Sequence, residues 1–161
     1  MQLQVDTSAD GVWNAVQSDT TGTGTVERQP HTPEEWVAAR NAAITLVEAT
    51  NLLVIDGRRV GVREFPAEAD GALDSAHIAA LIAARRPAFN AFAMALRRAG
   101  LAAIDAIDAK DPAALVKAGG DMDEVCEACH LTFWYPNQVI PEFPSEDDPH
   151  RPIFRAGSPL K

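Results

Sequence analysis

Five consecutive residues late in the chain, Cys126-Glu127-Ala128-Cys129-His130, hold the clearest chemistry in the sequence. On a helix, positions i, i+3 and i+4 share one face. Both thiols then point the same way, with an imidazole beside them. Thiols so placed can add to the two vinyl groups along one side of a haem while the imidazole reaches the iron. The pattern is the attachment signature of c-type haem. A thioredoxin-like redox pair shares the C-x-x-C spacing but expects a βαβ context, which this sequence lacks. A structural zinc site needs about four Cys or His ligands, and His31, His77 and His150 supply no second paired spacing. A plain disulfide, or two core cysteines, accounts neither for His130 nor for both cysteines of the chain falling in one motif. The reading adopted is one covalent haem c per chain, with His130 as the metal ligand.

The elements that must position this motif read as helical throughout. Residues 7–18 suggest a short N-terminal helix, broken by the Thr/Gly cluster at 20–25. Thr32-Pro33-Glu34-Glu35 is a strong helix start: Thr32 caps, Pro33 suits the first helical position and Glu35 closes a capping box. That helix is expected over 33–54. Residues 55–73 read as a long connection, and Asp74 or Ser75 can cap a helix over 75–86. Pro87 either kinks that helix or opens the next, expected over 88–109, where Gly100 lies on the apolar side and permits a close helix approach. Asp111-Pro112 starts a last helix through 134, with Gly119-Gly120 as a point of interruption. Prolines 136, 141, 144, 149, 152 and 159 rule out further long helix. Val139, Ile140, Phe143, Ile153 and Phe154 make residues 135–161 an apolar tail expected to wrap along the surface.

The chain of 161 residues fits one domain, 1–161, with 47% hydrophobic and 23% charged residues. A formal net charge of −9 argues against nucleic acid, whose phosphates require clustered Lys and Arg. It suits a redox partner protein with a basic docking surface. No apolar run is long enough for a membrane span. The stretch after Met1 has no visible signal peptide, so the chain is either cytosolic or a processed, exported form.

A set of antiparallel helices with C-x-x-C-H near the end of the last resembles the cytochrome c-prime family, the class II c-type cytochromes. The resemblance covers residues 33–134. It implies an all-α fold, an antiparallel four-helix bundle with haem at one end, flanked by an extra N-terminal helix within 1–31 and the Pro-rich tail. It further implies haem assembly outside the cytoplasm, hence a periplasmic location with the signal peptide removed, and it allows a homodimer. Two more positions carry over. Arg40-Asn41 matches the family's Arg-Gln pair on the first bundle helix, which makes Arg40 a partner for a haem propionate; the alternative is a surface arginine paired with a nearby acid. Ile44, one turn later, falls at the distal position, where an aliphatic side chain leaves the sixth iron site open. The family's aromatic residue after the motif is kept as Phe133, but Trp134 replaces the basic residue that follows it.

Other iron ligands are weaker choices. Met94 falls beside Arg98 and Asp105 on the polar face of its helix. Met122 is too close to the motif on the same helix to cross the haem plane. His77 reads as a half-buried histidine with a local hydrogen bond, His150 depends on the tail folding over, and His31 lies in a loop. The expected function is single-electron transfer by an extracytoplasmic monohaem c-type cytochrome, not an enzyme. The alternative is a five-coordinate haem protein binding nitric oxide or carbon monoxide.

Overall fold

The computed structural model describes residues 2–61 and 63–139; the side chains of residues 2, 3, 19–21 and 25 are outside the description. The chain is mostly helical. A π-helical segment Gln2–Asp6 leads into α1 (Thr7–Trp13); then come β1 (Gln17–Thr21), β2 (Gly24–Arg28), α2 (Pro33–Leu53), α3 (Ser75–Ala84), α4 (Arg86–Asp108) and α5 (Pro112–Phe133).

The long helices begin where side-chain chemistry favours it. At the start of α2 the Thr32 hydroxyl accepts the Glu35 N–H at 3.2 Å, and the Glu35 carboxylate accepts the Thr32 N–H at 3.0 Å, a closed capping box. Asp74 accepts the His77 N–H to cap α3, and Asp111 accepts the Ala114 N–H to cap α5. Pro87 sits in the first turn of α4, so it opens that helix rather than kinking the one before it.

Helices α2 and α4 run antiparallel. Arg40 near the start of α2 pairs with Asp108 at the end of α4, and Arg86 at the start of α4 donates to the Val54 and Ile55 carbonyls beyond the end of α2. Between them Gly100 meets Val47; a Cβ at Gly100 would lie 2.9 Å from Val47 Cγ2, so the absent side chain sets the close approach. Helix α5 returns antiparallel along α4 after the turn at 109–111 and brings Phe133 against Phe89. Helix α1 packs on α2 and α5. Val12, Leu46, Leu115 and Met122 form the fully buried centre.

Three expectations change. The helix expected over 7–18 ends at Trp13, and residues 17–28 form an antiparallel hairpin in the register Gln17↔Arg28 to Thr21↔Gly24. The N-terminal helix is part of the core rather than an addition to it: Val5, Ala9 and Val12 are buried, and the Trp13 indole donates to the Gly119 carbonyl at 3.0 Å. Helix α5 passes Gly119-Gly120 without interruption. Gly119 instead makes room for Trp13, whose Cδ1 would stand 3.2 Å from a Cβ there. The expected wrapping of the tail, from residue 140 onward, lies outside the described residues, and so does His150.

Candidate functional site

Cys126, Cys129 and His130 occupy the last two turns of α5, a helix that is regular from its Asp111 cap to Phe133. That regularity puts the three side chains on adjoining positions of one surface. The cysteines are not joined in a disulfide, and both are half-buried. Burial pushes each thiol up to about 11; the carboxylates of Asp123 and Asp6 add to the rise at Cys126. Both are therefore neutral thiols at ordinary pH. Burial lowers His130 below the usual imidazole value, against the opposing pull of Glu127 and Asp6. A neutral imidazole keeps a nitrogen lone pair for a metal.

Aromatic side chains close the end of α5. Phe133 is buried, edge-on to Phe89 at 5.3 Å and to Phe92 at 6.1 Å between centroids. His130 meets Trp134 edge-on at 5.0 Å and Tyr135 at 5.7 Å. The Tyr135 hydroxyl donates to the Glu127 carboxylate at 2.7 Å. Burial, with that bond to an anion second, raises the phenol to about 12. The Trp134 carbonyl accepts the Leu73 N–H at 2.7 Å, which ties the connection before α3 to the end of α5.

Arg40 and Ile44 stand apart from this group. The Arg40 guanidinium donates through Nε and an Nη nitrogen to the Asp108 carboxylate, at 2.7 and 3.2 Å. Phe89 and Asp108 are near opposite ends of α4, about 28 Å apart along an axis rising about 1.5 Å per residue. Since Phe133 marks the Phe89 end, His130 is roughly 20 Å or more from the level of Arg40. This is the surface arginine paired with an acid. Ile44 is one turn along α2 from Arg40 and part-exposed, while the buried face of α2 comprises Ala39, Ala43, Leu46, Val47, Ala49 and Thr50. His77 has the expected local bond, to Asp74 at 2.9 Å, but is exposed rather than half-buried.

Sequence reasoning missed the contribution of the N-terminal segment. Asp6 acts on both Cys126 and His130, and the helical spacing of the apolar residues Val5, Ala9 and Val12 was the available signal that this segment packs. Among the described residues no group of three or more His, Cys, Asp or Glu side chains gathers as an all-protein metal site. The donor set suits haem c instead: two unpaired neutral thiols for the vinyl groups and one neutral imidazole for the iron. Comparison of the chain with protein-family models, curated proteins and solved structures finds no match in any of the three.

Proposed function

We propose that the chain is a monohaem c-type cytochrome that works outside the cytoplasm and passes single electrons. The observation that carries this reading is the unpaired Cys126 and Cys129 on one surface of α5 with His130 adjoining. In this reading α1, α2, α4 and α5 are the four helices of an antiparallel bundle of class II type, with the motif at one end. Haem, when bound, supplies a one-electron iron couple. Cys126 and Cys129 hold it covalently, which favours a periplasmic protein because such assembly belongs to that compartment. His130 presents a neutral nitrogen to the iron, and its edge-on contact with Trp134 limits rotation of the imidazole. Phe89, Phe92 and Phe133 exclude water from the same end. Asp6, Asp123 and Glu127 set an acidic field around the site, suited to a basic redox partner whose encounter rate falls as salt rises.

The gas-binding alternative drew its argument from Ile44 at a distal position. With Ile44 on α2, toward the Arg40 end, that argument no longer favours it, and electron transfer is the reading retained. The test is to produce the chain in the periplasm with haem-maturation enzymes and run it on a denaturing gel. Haem peroxidase staining and a mass increase of one haem are expected. Haem that extracts into acid acetone while both thiols stay free to alkylation would overturn the reading.

A further inference from the structure

We infer that the indole N–H of Trp134 donates a hydrogen bond to a propionate carboxylate of the haem, a second anchor for the group beyond the thioethers and His130. This rests on the haem reading above. Trp134 Nε1 is buried and has no hydrogen-bond partner among the described residues. Trp13, by contrast, gives its indole N–H to the Gly119 carbonyl. A buried indole N–H is normally satisfied, so an orphan beside a binding motif points to an acceptor that arrives with the ligand.

The backbone that carries the indole is held from two sides. The Trp134 backbone N–H donates to the His130 carbonyl at 2.8 Å, and the Trp134 backbone carbonyl accepts the Leu73 N–H at 2.7 Å. The ring itself stands edge-on to His130, the residue assigned to the iron. On α5 the Glu127 carboxylate takes the Tyr135 hydroxyl. Among the described residues, the charged groups acting on Cys126, His130 and Tyr135 are Asp6, Asp123 and Glu127, all acidic. Haem brings two carboxylates of its own into these surroundings. A neutral N–H donor, buried and unclaimed, is what Trp134 offers one of them, and a bond from it to an anion is of the stronger, charge-assisted kind.

The test compares parent, Trp134→Phe and Trp134→His holoproteins by resonance Raman spectroscopy of the propionate-bending bands, with haem-stained denaturing gels alongside. One propionate band should shift to lower frequency in Trp134→Phe and move back in Trp134→His, which keeps a ring N–H. Covalent haem should be equal in all three. Unchanged propionate bands in Trp134→Phe, with covalent haem retained, would overturn the role of Trp134 alone. A parent without covalent haem would overturn the haem reading, and this inference with it. If Trp134→Phe does not fold, the indole N–H of the parent decides, read by nitrogen-15 NMR in the diamagnetic carbon-monoxide-bound ferrous state. Slow exchange with solvent and a downfield shift support the bond; a sharp indole signal at an unbonded shift overturns it.

Discussion

The two ends of the helical core are held by different means. Toward the Arg40 end, α1, α2, α4 and α5 close on small and aliphatic side chains; Val12, Ala43, Ala103 and Leu115 are completely buried, and the indole of Trp13 is hydrogen-bonded. Toward the motif end, Cys126, Cys129, His130, Trp134 and Tyr135 are only partly covered, and one buried indole N–H has no partner among the described residues. The first end satisfies itself with its own side chains. The second reads as a surface prepared for a further component. A protein that must take up a large rigid group can keep one end folded independently and leave the other to be completed by the group.

The largest expected effect follows directly. Replacing both Cys126 and Cys129 by Ser should abolish covalent haem, seen as complete loss of haem stain on a denaturing gel. The helical circular dichroism signal should remain if the aliphatic end folds on its own side chains. Loss of the helical signal as well would show that the two ends fold as one unit with haem, and the contrast between them would fail.

Next in size is the aliphatic end itself. Leu115 is fully buried within the cluster of α1, α2, α4 and α5 residues. Leu115→Ala should cost about 2–5 kcal/mol in urea unfolding, from lost burial and the cavity left behind. Haem attachment should survive in the fraction that folds. A cost well under 1 kcal/mol would mean that this end is loosely packed.

How far the sequence disclosed these ends depends on the kind of signal each carries. The capping box at Thr32 and Glu35, the caps at Asp74 and Asp111, and the close approach at Gly100 were all legible, because each is a local rule of side chain and backbone. The motif could be picked out because it is contained in five residues, and the structure places it on a regular helix. The hairpin over 17–28 was not recognised: glycines among threonines were read as helix breakers, although a short Gly turn between β-branched residues is also a hairpin signal. For Arg40 the structure shows the surface ion pair with Asp108, across α2 and α4, and the share of the core taken by Val5, Ala9 and Val12 was not anticipated. Which helix packs beside which is a tertiary fact that periodicity does not supply.

A smaller effect tests the start of α2. Thr32→Ala should destabilise the chain by about 1 kcal/mol by removing the cap. The same corner gives a pH dependence. The His31 and Thr32 backbone N–H groups hold Glu35 below its ordinary value of 4.5. A carboxylate depressed in the folded state adds stability that is fully present above that value and is lost as pH falls through the lower folded one. In Glu35→Gln, which removes the titrating group, acid unfolding measured below pH 4.5 should therefore depend less steeply on pH than in the parent. Equal slopes would detach the capping box from the acid sensitivity.

The smallest effect expected is at Arg40, and it bears most directly on the contrast between the two ends. Arg40 and Asp108 are both largely exposed, with side-chain accessibilities of 43% and 51%. An exposed pair gains little because water and salt screen it, even with the two-point geometry found here. Arg40→Ala should accordingly lower the melting temperature slightly at low salt, and the difference should vanish at high salt. If the haem belongs to the motif end alone, the optical spectrum and midpoint potential of the Arg40→Ala holoprotein should match the parent. Losing an arginine bonded to a propionate would instead remove a positive charge beside the haem and shift the potential downward, since the ferric state carries the greater positive charge. Such a downward shift would place the Arg40 guanidinium at the haem. It would also mean that the group extends along the helices well past the turn holding Cys126, so that the aliphatic end could no longer be called independent of it.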